Sequence, residues 1–369
     1  VKVAIVFGTR PEAIKLAPVA KEFQRRGHTP LLIVTAQHRD MLDQHLQDFG
    51  IVPDVDLDIM KENQDLVYVT TEVLQKLDGV LKREAPAALL VQGDTTTTFA
   101  SSLVAFYNRI PVGHVEAGLR TWNRYLPYPE EINRQLTTRL ATWHFAPTEW
   151  SRDNLLKEHV PADAIVVTGN TVIDVLLQTL QVQREFEDPR LRGIDYERRK
   201  VILLTAHRRE NFGPPMENIC RACLTILEQT ADTELVFPVH PNPNVRRVVQ
   251  KLLGAQQRVH LVEPLEYRAF VRLMNKCYLI LSDSGGVQEE APSLGKPVLV
   301  LRSVTERPEA VASGVVKLVG TDTEQIVTEA LRLLSDRAAY QAMTTKANPY
   351  GDGRASERIV DVIETGLTS

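Results

Sequence analysis

Short apolar runs without polar alternation recur along the chain at positions 3–7, 31–34, 88–92, 112–115 and 165–168. They begin again at 201–205 and continue at 235–239, 259–262, 279–281, 298–301 and 315–319. Runs of this length and evenness are what parallel strands covered on both faces look like. Segments of helical period lie between them, such as 14–26, closed by Gly27, and 66–83, which stops short of Pro86. Two successive series of strand, turn and helix predict two doubly wound α/β domains with Rossmann-like sheets. The first is expected over 1–180 and the second over 181–354, with a further helix at about 355–369. The stretch 181–200 is crowded with charge and broken by Pro189 and Gly193, which reads as the linker.

In open α/β sheets, ligands sit beyond the carboxyl ends of the strands. Those positions hold the chemistry of this chain. The first strand runs into Gly8-Thr9-Arg10-Pro11-Glu12, with Lys15 one helical turn on. Pro11 suits the first helical position and would leave Arg10 at the strand tip. The run at 88–92 ends in Gly93-Asp94 and four threonines, and that at 112–115 ends in Glu116-Ala117-Gly118-Leu119-Arg120. Pro129-Glu130-Glu131-Ile132-Asn133-Arg134 reads as a helix start with Glu130 and Arg134 on one face. The first strand of the second series ends in Ala206-His207-Arg208-Arg209-Glu210-Asn211. Taken singly, each has a structural alternative. Asp94 can be a helix cap, Glu116 with Arg120 or Glu130 with Arg134 an ion pair, and the Arg208–Glu210 charges a solvated run. Taken together, ionisable side chains collected at one end of both sheets point to a catalytic site.

The most informative turn is Ser282-Asp283-Ser284-Gly285-Gly286-Val287-Gln288-Glu289-Glu290, placed directly after an apolar strand and closed by Gly295. A helix start of this kind offers unpaired N–H groups to an anion, here a diphosphate. Glu290, one turn past Gly286, is placed to accept the hydroxyls of a ribose. Tight packing is the competing use of such glycines.

Composition narrows the class. The 369 residues are 43% hydrophobic and 24% charged with net charge -4, a globular profile without the basic bias of a nucleic-acid binder. No apolar stretch reaches the ~20 residues of a membrane span, and the opening residues lack a signal peptide's apolar core. Cys220 and Cys223 form a C-x-x-C pair without a second pair to complete a metal site, and read as small buried side chains. These features predict a reduced, cytoplasmic protein with no metal. Gly8-Thr9-Arg10 lacks the three glycines of a nicotinamide-binding turn, so no cofactor is expected.

With these motifs in view, the chain resembles the bacterial, non-hydrolysing UDP-N-acetylglucosamine 2-epimerases. The resemblance runs from Gly8 to about Arg354, and it adds Gln37-His38-Arg39, His114-Val115-Glu116 and Thr305-Glu306-Arg307-Pro308-Glu309 to the motifs above. Leu126, where a serine is common in that family, is a local departure. The resemblance implies a glycosyltransferase-B-like pair of domains facing across a cleft, a final helix that crosses back to the first domain, and a homodimer. It implies interconversion of UDP-N-acetylglucosamine and UDP-N-acetylmannosamine through elimination of UDP. Carried over by position, Asp94, Glu116, Glu130, His207 and Lys15 are catalytic. Arg10, Arg134, Phe270, Ser284, Gly285, Gly286, Glu290 and Arg307 bind substrate, Phe270 at the uracil. Gln37, Arg208 and His240 would form a second, activating site for UDP-N-acetylglucosamine. A hydrolysing 2-epimerase, a retaining glycosyltransferase and a nucleotide-sugar sensor are the rival readings.

Overall fold

The computed structural model describes residues 1–35, 51–61, 64–182 and 185–368. It divides into two compact units, Val1–Val175 with Tyr350–Ser369, and Leu176–Pro349.

Unit 1 carries strands β1 (Lys2–Phe7), β2 (Thr29–Val34), β3 (Val55–Asp56), β4 (Ala88–Gln92), β5 (Val112–Val115), β6 (Trp143–Ala146) and β7 (Ile165–Val167). They form one sheet in the order β3-β2-β1-β4-β5-β6-β7, with every neighbouring pair parallel. Helix 66–84 begins at Asp65, whose side chain accepts the Tyr68 N–H, and ends at Ala85 in the left-handed region. Its buried Val73 and Leu77 meet Ile33, Val91 and Ala100 in the core on one face of the sheet. The C-terminal helix Ala355–Thr368 belongs to this unit. Asp174 accepts the backbone N–H groups of Ala355 and Ser356 at its start, and Arg26 pairs with Asp361 and Glu364 further along.

Unit 2 carries β8 (Lys200–Thr205), β9 (Thr233–Pro238), β10 (Val259–Val262), β11 (Leu279–Ser282), β12 (Val298–Val300) and β13 (Val316–Leu318). The order is β10-β9-β8-β11-β12-β13, again parallel throughout. Cys220 and Cys223 sit in helix Pro214–Gln229 and pack into its core with Ile226, Phe237 and Leu281. Burial pushes the Cys220 thiol up to about 12 and that of Cys223 higher still, so neither is a nucleophile at neutral pH.

Two strands, β3 and β6, were not anticipated. β3 has only two residues, and in β6 His144 breaks the apolar run; the ring is nevertheless buried. The charged stretch expected as a linker is packed onto unit 2 through buried Phe186, Leu191 and Ile194, and the unit boundary falls instead inside helix Thr171–Leu180.

Both sheets change winding direction at one place: between β1 and β4 in unit 1, and between β8 and β11 in unit 2. Neighbouring connections there leave to opposite faces, so a crevice opens at the strand ends.

Candidate active site

At the unit 1 switch point, the turn after β1 and the turn after β4 are tied together by Glu12. Its Oε2 accepts the backbone N–H groups of Gly8 (3.0 Å) and Thr9 (2.7 Å), and its Oε1 accepts the Thr95 hydroxyl at 2.6 Å. Burial raises its carboxyl above the ordinary range against the pull of these bonds. A side chain on Gly8 would overlap the hydroxyls of Thr35 and Thr97 at 2.4 and 2.5 Å, which explains the glycine. The helix begins at Arg10, one residue earlier than expected, so Pro11 is its second residue and Arg10 its first.

Asp94 and Glu116 follow β4 and β5, which are adjacent, with Gln92 paired in register to Val115. Asp94 is not the cap of the next helix; Thr95 is, accepting the Thr98 N–H. Asp94 instead meets Arg134, whose Nε and Nη2 both approach Oδ2, at 2.8 and 2.7 Å. Arg134 thus takes Asp94 and Glu131 as partners rather than Glu130. Asn133 adds a bond to the Asp94 carbonyl at 3.0 Å.

Glu116 does not pair with Arg120. Arg120 is buried against Glu158 at 2.7 Å, whereas the Glu116 carboxylate is ion-paired with Lys15 and accepts Gln92 Nε2 at 2.7 Å. Glu116 also sits at φ 65 in the left-handed region. Such a backbone costs a non-glycine residue roughly 1–3 kcal/mol and collects at functional positions.

Glu130 opens helix Glu130–Leu140, and its side chain makes no hydrogen bond or ion pair among the described residues. Glu131, beside it, is fully buried and receives the N–H groups of Thr121 (3.0 Å) and Trp122 (3.1 Å), anchoring the preceding loop. Asp94, paired with Arg134, and Glu116, paired with Lys15, therefore follow neighbouring strands, and Glu130 lies one helical turn before Arg134.

In unit 2 the switch point brings His207 after β8 beside Asp283 after β11. His207 Nδ1 lies 3.2 Å from Asp283 Oδ1, and the His207 ring stacks on that of His240, centroids 5.8 Å apart and 20° from parallel. Burial lowers the His240 basicity, with His207 adding to the effect. Arg208 donates from Nε to the Asp283 carbonyl at 3.0 Å. Gln37 lies outside the described residues.

Ser284 precedes the six-residue helix Gly285–Glu290, which tightens into a 3-10 turn and ends at Gly295 in the left-handed region. The Arg307 guanidinium lies against Gly285, where an added Cβ would come within 2.9 Å of Cζ. Glu289 holds Arg307 there through Nε and Nη2 at 2.9 Å each. Glu290 is buried and accepts the Tyr267 hydroxyl at 2.8 Å; burial and this carboxylate push the phenol well above its usual range. Phe270 is half-buried, one turn beyond Tyr267 on the same helix face. Among the described residues no group of three or more His, Cys, Asp or Glu could hold a metal ion, and no helix is long and apolar enough to cross a membrane.

Residues 21–364 match the UDP-N-acetylglucosamine 2-epimerase family. The chain belongs to that family. It is 53% identical to the UDP-N-acetylglucosamine 2-epimerase of Escherichia coli K12 over 377 aligned positions, covering 100% of both chains. The crystal structure of UDP-GlcNAc 2-epimerase from Neisseria meningitidis bound to UDP-GlcNAc superposes with a TM-score of 0.85, at 51% identity, covering 99% of this chain and 100% of that one. The Methanocaldococcus jannaschii UDP-GlcNAc 2-epimerase in complex with UDP-GlcNAc and UDP gives 0.77 at 34% identity, covering 99% and 100%.

Set beside these epimerases, three residues of the site escaped the sequence reading: Glu12, Glu131 and Asp283. Thr9-x-x-Glu12 carries the capping-box pattern, which was there to be read. Asp283 and Glu131 carry no such sign, because their weight comes from donors remote in sequence.

Proposed function

We propose that this chain is a non-hydrolysing epimerase that interconverts UDP-N-acetylglucosamine and UDP-N-acetylmannosamine, with Asp94, Glu116 and Glu130 acting on the sugar. The observation that carries this is the trio Asp94, Glu116 and Glu130, each in a different electrostatic setting. The proton on carbon 2 is not acidic until the bond from carbon 1 to UDP begins to break and oxocarbenium character develops. A carboxylate then takes the proton, the C1–O pair leaves with UDP, and 2-acetamidoglucal remains. Protonation of the opposite face of carbon 2 and return of a UDP oxygen to carbon 1 give the epimer. Taking a proton from one face of carbon 2 and delivering one to the other needs more than one carboxylate, and the trio supplies them. Incubation with UDP-N-acetylglucosamine should therefore yield intact UDP-N-acetylmannosamine. Release of free N-acetylmannosamine with UDP would favour the hydrolysing reaction instead.

For the nucleotide, Ser284, Gly285 and Gly286 would meet the diphosphate, Arg307 would offset its charge, with Arg10 in support, and His207 would contact the leaving group. Phe270 would face the uracil. Glu290 would take the ribose hydroxyls, oriented by Tyr267. Glu290→Ala should then weaken UDP binding by roughly tenfold to a hundredfold, since a hydrogen bond to a charged group is worth about 1.5–3 kcal/mol. Unchanged affinity by calorimetry would move the ribose elsewhere.

Arg208, His240 and Gln37 would bind a second UDP-N-acetylglucosamine as activator. The Methanocaldococcus jannaschii relative was crystallised in complex with UDP-GlcNAc and UDP. UDP-N-acetylmannosamine alone should turn over with a lag that a trace of UDP-N-acetylglucosamine abolishes; an immediate full rate would remove the second site. The functional form would be a homodimer. Exposed Phe106 and Tyr107, side by side at the end of helix Thr96–Tyr107, are apolar side chains suited to a partner copy. Sedimentation at the mass of one chain at micromolar concentration would refute this.

A further inference from the structure

Asp283 is fully buried at the carboxyl end of β11. One oxygen, Oδ2, accepts three bonds at 2.9 Å, from the backbone N–H groups of His207 and Arg208 and from Asn211 Nδ2. Those donors fix the plane of the carboxylate and leave Oδ1 outside their set. Oδ1 lies 3.2 Å from His207 Nδ1, while the His207 side chain stays 43% exposed. Oδ1 itself accepts no hydrogen bond, so a buried, unpartnered carboxylate oxygen faces an accessible imidazole at the winding switch of the sheet. The same carboxylate also fixes the backbone that carries the ring.

A neutral imidazole has one donor and one acceptor nitrogen, and the partner of one nitrogen decides the role of the other. We propose that Asp283 is a positioning residue that keeps the His207 proton on Nδ1 and so reserves Nε2 for the ligand. Nε2 then accepts a hydrogen bond when the ring is neutral and donates one when it is protonated, in which form Asp283 stabilises the imidazolium. At a departing diphosphate the useful form is the charged, doubly protonated ring, whose Nδ1–H a carboxylate can accept and the Asp283→Asn amide donor cannot. The inference rests on the reading of His207 as a contact to the leaving group.

Asp283→Asn separates positioning from folding. The side-chain oxygen of asparagine can keep the three Oδ2 bonds, while its amide places a donor against Nδ1 and forces the proton to Nε2. Imidazole nitrogen NMR of the unliganded full-length chain should show Nδ1–H for His207 in the native protein and Nε2–H in the variant. Turnover of UDP-N-acetylglucosamine should fall about a hundredfold with KM within about threefold, the pattern of a misdirected tautomer. A native His207 protonated at Nε2, or an Asp283→Asn variant with unchanged turnover, overturns the proposal. The native tautomer is read without turnover, so it decides the pairing even if the variant does not fold. Full activity in His207→Asn would instead defeat the leaving-group role of His207, a separate result.

Discussion

Asp94→Asn, Glu116→Gln and Glu130→Gln are each expected to lower turnover by about a hundredfold or more while UDP affinity changes little. Positioned proton transfer contributes about this much to enzymic rates. The three should not fail alike. Losing the Asp94 charge leaves Arg134 with Glu131 as its remaining carboxylate partner, so that variant should also lose stability. Losing the Glu116 charge removes a carboxylate partner of Lys15, itself mostly buried. Glu130 has no such partner among the described residues, so Glu130→Gln should be as stable as the native chain and still inactive. Steady-state kinetics with UDP calorimetry and urea unfolding checks all three. Near-normal turnover in any variant removes that residue from the proton-transfer set.

The second large effect is acid lability seated in unit 1. His114 and His144 face each other in register on β5 and β6, 1% and 2% exposed. His144 has neither ring nitrogen bonded, and His114 has only Nε2 bonded, to the Gly93 carbonyl at 2.7 Å. Burial lowers His114 from 6.5 to about 4 and His144 from 6.5 to about 3. A histidine whose folded pKa is depressed binds its proton in the unfolded chain first, so stability falls as pH drops below 6.5 and stops falling below the folded value. At pH 5 each ring should cost about 2 kcal/mol, at 1.36 kcal/mol per pH unit. Glu12 and Asp174, raised by burial, work in the opposite sense as pH falls toward the ordinary carboxylate range. Comparison with His144→Leu isolates the ring. All three tryptophans, Trp122, Trp143 and Trp150, lie in unit 1, so their fluorescence reports its unfolding. Between pH 7 and pH 5 the native chain should lose about 2 kcal/mol more than the variant. Equal losses would mean that His144 is not held neutral.

The strands were legible because parallel strands buried on both faces leave unbroken apolar runs, and eleven strand tips among the described residues followed from those runs alone within a residue. β6 was hidden by a histidine that burial keeps uncharged. Strand order was not legible, and it is what makes neighbours of Asp94 and Glu116, and of His207 and Asp283. Local spacing therefore suggested the wrong ion pairs. Arg120 and Arg134 looked like partners of Glu116 and Glu130, whereas the fold gives Arg120 to Glu158 and Arg134 to Asp94. The charged stretch before β8 looked like a linker because its three buried apolar residues are outnumbered by charges.

Epimerisation through elimination makes one demand that no rival reaction shares: carbon 2 must exchange its proton with solvent while the nucleotide sugar ends intact. Incubation of the native chain with UDP-N-acetylglucosamine in heavy water, followed by mass spectrometry and proton NMR of the UDP-sugars, reads this directly. Deuterium at carbon 2 of both intact UDP-N-acetylglucosamine and UDP-N-acetylmannosamine is the expected result. Intact substrate without deuterium, or deuterium appearing only in free N-acetylmannosamine, would contradict it.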